Sequence, residues 1–186
     1  MFSHSLPLCV ARRKDGYVET LEAIRTKRAT RVFSDAPLPE QAIEAILNAG
    51  RRAHSGANLQ PWHFIAVRNR ETLQALSKCG DYAGHLAGAA LGVVVASPSD
   101  PNGWNMFDIG QAAALMQLAA HDLRIGSCIA GIFNPDAARE ILGVGSDLDL
   151  QVVISFGYPL DAESLTRQPK AGGRRPLHEV VHWEHW

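Results

Sequence analysis

The chain has only three cysteines, Cys9, Cys79 and Cys128, and no two of them lie close together. Without a C-x-x-C pair there is neither a zinc ribbon nor a thioredoxin-like redox motif. The odd count and wide spacing fit a reducing, cytoplasmic setting better than a disulfide framework. An excess of one charge is also missing, since 18 basic and 19 acidic side chains leave a formal net charge of −1. A broad nucleic-acid footprint needs a strongly basic face, so nucleic acid is not an expected partner. The apolar stretch 87–96 falls far short of the ~20 residues that cross a bilayer. Residues 1–10 lack the basic and apolar regions of a signal peptide, so no membrane association is expected. No G-x-G-x-x-G follows an expected strand and no P-loop occurs, which disfavours a Rossmann or P-loop nucleotide domain.

What remains is an ordinary globular composition, 46% hydrophobic and 20% charged over 186 residues. That length suits one domain with a substantial core. Residues 1–16 read as a flexible N-terminal extension and 17–186 as the domain. Helices are expected over 18–28, with Leu21 and Ile24 on one face, and over 39–52, with Pro39 at the first helical position. Ile43, Ile46 and Leu47 give the second helix an apolar stripe. Further helices are expected over 71–79 and 105–123, and another opens at Asn134-Pro135, with asparagine as N-cap. The long helix carries Gly110, Ala112, Ala113, Ala114, Ala119 and Ala120, small residues that suit a central or interface helix. Strands are expected over 62–68, 91–96, 125–130 and 151–156; the second contains Val93, Val94 and Val95. The sum is an α+β domain. Loops after Gly80 and Ser97 are expected to shape a pocket. From Gly157 onward the chain reads as an extended tail, yet it carries Trp183 and Trp186. Large aromatics on a tail should dock on something, and a partner subunit is the natural candidate.

Two segments carry candidate chemistry. Arg25-Thr26-Lys27-Arg28-Ala29-Thr30-Arg31 clusters cations where a helix ends. It is either a solvated basic turn or a phosphate clamp, since a guanidinium grips two phosphate oxygens at once. Ser55-Gly56-Ala57-Asn58-Leu59-Gln60-Pro61-Trp62 places several hydrogen-bonding groups on one loop, as a heteroatom-rich ring would require.

Together these segments resemble the FMN-binding nitroreductase family. Its R-R-S-x-R-x-F pattern appears here as Lys27-Arg28-Ala29-Thr30-Arg31-Val32-Phe33. Its A-P-S-x-x-N-x-Q-P-W appears as Ala53-His54-Ser55-Gly56-Ala57-Asn58-Leu59-Gln60-Pro61-Trp62. Asp108-Ile109-Gly110, Arg124-Ile125-Gly126, Phe156-Gly157-Tyr158-Pro159 and Arg174-Arg175-Pro176-Leu177-His178-Glu179-Val180-Val181 continue the likeness in order. The resemblance implies a nitroreductase-like fold: a central mixed, mainly antiparallel sheet flanked by helices, with a C-terminal tail docking on the partner of a homodimer. It implies FMN as cofactor, with NADH or NADPH as transient donor and a nitroaromatic, quinone or related small molecule as acceptor. Lys27, Arg28, Ala29 and Arg31 are expected at the phosphate and ribityl end, joined by Arg174 or Arg175. Ser55, Asn58 and Gln60 are expected to contact the flavin of the other subunit, and Ala130 and Gly131 to lie beside N5. No side-chain acid or base is nominated, because the flavin performs the chemistry. Ala29 replaces the usual serine and His54 the usual proline. Alternatives are a dehalogenating, flavin-fragmenting or ring-oxidising relative, or a flavin-binding module without turnover.

His178-Glu179-Val180-Val181-His182 matches the H-E-x-x-H zinc pattern. That pattern needs a helix with both imidazoles on one face and a third ligand, for which Glu184 or His185 is the available choice. Its place near the chain end, after an extended segment, makes a docked tail the preferred reading, and no metal is expected.

Overall fold

The run Val93-Val94-Val95 is buried on both of its faces, and that burial organises the fold. A computed structural model describes residues 19–168 and 173–186; the expected extension, residues 1–16, lies outside the described residues. Four strands, β1 (His63–Val67), β2 (Leu91–Pro98), β3 (Gly126–Gly131) and β4 (Leu148–Gly157), form one sheet in the order β1-β2-β4-β3. Every adjacent pair is antiparallel. The expected mixing reduces, among the described residues, to one isolated parallel bridge between Ala29 and Ser127.

The described residues form five α-helices, α1 (Thr20–Thr26), α2 (Glu40–Arg51), α3 (Arg70–Leu76), α4 (Trp104–Asp122) and α5 (Pro135–Leu142), of which α1 packs on α4. Val93, Val95, Ile154 and Phe156 point to one face, where Ile43 and Ile46 of α2 and Ile109 and Met116 of α4 close over them. Val94, Ala96, Leu150 and Val153 point to the other, against Leu73 and Leu76 of α3, Leu86 of the 3-10 segment Ala83–Gly88, and Ala138 of α5. A strand covered on both sides can be apolar at every position, which is why β2 reads as a run rather than an alternation.

Several boundaries differ from expectation for local reasons. Pro39 is the N-cap of α2, with φ −64 and ψ 147, one position ahead of the expected first helical residue. Asn134 caps α5 as expected, its side chain accepting from Ala137 N at 3.2 Å. β4 starts at Leu148, earlier than residue 151, and its pairing with β2 shifts register between Val95 and Ala96. The tail after Gly157 is interrupted by two 3-10 turns, Ala162–Leu165 and Leu177–Glu179. α1 is shorter than the expected 18–28, and Leu21 and Ile24 share one face as expected. Its buried residues are Ala23 and Thr26, while Leu21 and Ile24 face solvent. Periodicity identified that face but not what it meets. No described helix is long and apolar enough to cross a membrane.

Candidate functional site

The outer edge of β3 is where sequence and sheet geometry converge on a site. The segment 29–34 crosses the end of the β3–β4 pair and is pinned at both ends. Thr30 N donates to Ser127 O at 2.9 Å, while Ser34 N donates to Tyr158 O at 2.9 Å and Leu160 N to Val32 O at 3.2 Å. Two glycines make room for this crossing, and they face each other across the β3–β4 ladder, Gly126 opposite Gly157. A Cβ on Gly126 would lie 2.6 Å from Thr30 Cβ, and one on Gly157 would lie 2.9 Å from Phe33 Cδ1. The two glycine motifs therefore serve one purpose: they let the segment bearing Arg31 lie flat on the sheet end.

Beyond Ser127 the edge of β3 is open. Ser127 turns its carbonyl outward to Thr30, and strand alternation turns the N–H groups of Ile129 and Gly131 the same way. The N–H of Ala130 faces β4 instead. The opposite wall comes from the loop after Cys79, whose carbonyl accepts from Phe133 N at 2.8 Å and Asn134 N at 3.0 Å. Gly80 sits so close that a Cβ there would be 2.2 Å from Gly131 O. Between these walls lies a cleft of about 620 Å³, lined by Arg31, Asp81, Tyr82, Gly84, His85, Cys128, Ile129, Ala130, Gly131 and Phe133.

Among the described residues no carboxylate pairs with Arg31, whose side chain is exposed. Burial pushes the Cys128 thiol up, against the pull of Arg31 and Lys27. Burial lowers the His85 imidazole, and Arg31 lowers it further. Thiol and imidazole are thus both held toward their neutral forms, leaving Arg31 the cation of a lining that also includes Asp81. His85 is only 8% exposed, and neither ring nitrogen has a hydrogen-bond partner among the described residues; the buried Thr30 Oγ1 has none either. An unpaired cation, an open row of backbone donors and a flat-walled cleft together suit a planar ligand with an anionic arm.

The remaining candidates disperse. Lys27 turns its ammonium to Gln117 Oε1 on α4, and burial lowers its pKa. Arg28 donates to Arg25 O and Lys27 O, each at 2.9 Å, and to Gln168 Oε1 at 2.9 Å. With Arg25, Gly173 and Arg174 it lines a second basin of about 580 Å³. Arg175 is exposed and lines neither. Ala29 is held in the bridge to Ser127. Ser55, Asn58 and Gln60 do not line the cleft of their own chain; Ser55 Oγ accepts from Gln60 N at 2.9 Å. Asp81, Tyr82 and His85 were not singled out from the sequence, where only a pocket-shaping loop after Gly80 was expected. The two glycines in register were the available signal for the crossing. His178 and His182 share no α-helix, because the turn Leu177–Glu179 is followed by Val180 at φ −124. His182 instead stacks on Trp186, with ring centroids 4.4 Å apart. Among the described residues no three His, Cys, Asp or Glu side chains are grouped to hold a metal.

Comparison with known proteins names the class to which this fold belongs. The Nitroreductase family model matches residues 24–87 and 77–158. A protein of Archaeoglobus fulgidus, named as a candidate NADH dehydrogenase/NAD(P)H nitroreductase, is 37% identical over 153 residues, covering 77% of this chain and 87% of its own. An FMN-dependent nitroreductase from Clostridium difficile superposes with a TM-score of 0.78 at 27% identity, over 89% of this chain and 99% of that one. A candidate nitroreductase from Desulfovibrio desulfuricans, solved in complex with FMN, gives 0.77 at 26% identity, over 89% and 96%. The chain belongs to the nitroreductase family.

Proposed function

We propose that this chain is an FMN-dependent NAD(P)H oxidoreductase that works as a cytoplasmic homodimer, with the β3 cleft holding FMN. The observation that carries the reading is the unpaired Arg31 set at one end of a free strand edge. Arg31 offers a permanent charge to the phosphate, in the geometry that guanidinium and phosphate share. The N–H of Gly131, rather than that of Ala130, faces the place of the ring. Bound FMN supplies hydride acceptance at N5 from NADH or NADPH and electron delivery to a nitroaromatic, quinone or related acceptor. The protein's part is to bind, orient and exclude water. Of the expected phosphate residues only Arg31 lines the cleft; Lys27, Arg28 and Arg174 would join it by leaving Gln117, Gln168 and the second basin.

A second copy supports the reading because so much apolar surface is left uncovered. On α4, Trp104 and Phe107 are 69% and 62% exposed, in edge-to-face contact with centroids 6.0 Å apart. Gly110 and Ala114 continue that exposed stripe, and Leu21, Ile24, Trp183 and Trp186 are exposed as well. Patches of this kind mark interfaces. In a homodimer, Ser55, Asn58 and Gln60 reach the cleft of the other subunit, and the tail docks there too. The test is anaerobic reduction of the purified, FMN-loaded protein by NADH and by NADPH, then reoxidation with a nitroaromatic or quinone. Bleaching and recovery support the reading. A yellow protein that neither nicotinamide bleaches makes it a carrier or a specialised relative.

A further inference from the structure

Asp108 is a buried carboxylate that the β3 cleft does not use. It is the fifth residue of α4, whose N-cap is Gly103, so it does not cap the helix. Its Oδ2 accepts the backbone N–H of Gly56 at 3.2 Å, across 52 positions of sequence. A buried carboxylate is tolerated where it is hydrogen-bonded; here the nearer donor is the main chain of an exposed loop, and Gln111 Nε2 donates to Oδ1 at 3.5 Å.

That loop needs an outside anchor. Ala57, Asn58 and Gln60 have φ of 48, 58 and 50, the left-handed region that residues with side chains disfavour. The other hydrogen bonds of residues 55–60 run within the loop: Asn58 N to Ser55 O, Leu59 N to Gly56 O, Gln60 N to Ser55 Oγ and Gln60 Nε2 to Asn58 O. They curl the loop without fixing where it stands on the protein. Among the described residues the hydrogen bond that ties the loop to another element comes from Asp108, on the helix that also carries the exposed Trp104 and Phe107.

We infer that Asp108 is a positioning residue that clamps residues 55–60 to α4 and so presents Ser55 and Asn58 at the boundary between two copies of the chain. The clamp stands on the geometry alone; the destination of Ser55 and Asn58 rests on the proposed function. Asp108→Asn keeps a side-chain oxygen to accept the Gly56 N–H, whereas Asp108→Ala removes it. The experiment is amide hydrogen exchange on the full chain of both variants and the parent, with FMN titrated into the same samples. Asp108→Ala is expected to speed exchange across 56–60 by about tenfold while α4 and β2 keep their protection. FMN should dissociate about tenfold more readily, and Asp108→Asn should restore both readouts. A folded Asp108→Ala whose loop exchanges and holds FMN as the parent does would overturn the inference. So would loss of folding in Asp108→Ala with Asp108→Asn intact, since the side-chain oxygen would then serve the whole fold. If the parent binds no FMN, the proposed function fails while loop exchange still decides the clamp.

Discussion

Thr30 donates its backbone N–H to the carbonyl of Ser127 at 2.9 Å, and that bond seats the neighbouring Arg31 against the open edge of β3. The position of the cleft's cation is thus set by main chain rather than by side-chain packing. The consequences are measurable.

Arg31→Ala removes a charged, forked hydrogen-bonding group from a phosphate. Such contacts contribute about 1.5–3 kcal/mol, so the FMN dissociation constant should rise roughly 10- to 100-fold. Arg31→Lys keeps the charge but loses the fork and should fall between. Fluorescence titration of FMN measures both, and unchanged affinity in Arg31→Ala would refute the phosphate assignment.

Gly126→Ala puts a Cβ 2.6 Å from Thr30 Cβ, and neither backbone can retreat without breaking the bridge to Ser127. The expected cost is about 1–3 kcal/mol of stability in urea denaturation, with weakened FMN binding. Gly84→Ala is the control. It also lines the cleft, but nothing lies within 4 Å of an added Cβ, so its denaturation midpoint should not move.

These two predictions show where the sequence was readable. Asn134-Pro135 announced α5 because a cap and a fixed φ act within three residues. The valine run announced β2 because burial on both faces leaves no alternation to misread. The facing of Leu21 and Ile24 was not readable, because periodicity gives a helix a face without saying whether its own chain covers it. Nor were the separate directions taken by Lys27, Arg28 and Arg31. A run of cations specifies charge, whereas Gln117, Gln168 and the bridge at Ala29 decide where each side chain goes. His85 had no local pattern at all; only the fold brings it beside Arg31.

Stability should fall with pH through the histidine range. Burial lowers the folded pKa of His85 and of His121 below the ordinary 6.5. The unfolded chain therefore binds more protons as pH drops through that value, and stability declines from there until the folded values are passed. Above it, no penalty applies. His85→Leu deletes an imidazole with no partner, so it should cost little at pH 7.5 and flatten the slope of melting temperature between pH 7 and pH 5.5. An unaltered slope would show that His85 does not contribute.

Phe107→Glu places a charge in the exposed aromatic stripe of α4. Sedimentation should report a dimer for the parent and a monomer for the variant, and the variant should lose FMN as the second copy leaves. A parent that sediments as a monomer would exclude the shared site.

The most direct measurement is a titration of FMN into the parent protein, followed by quenching of flavin fluorescence. Saturable binding at one FMN per chain, weakened in Arg31→Ala, is the result expected of a cleft built on Arg31 and the edge of β3. A protein that leaves FMN fluorescence untouched at excess, or binds it equally well without Arg31, would contradict that site.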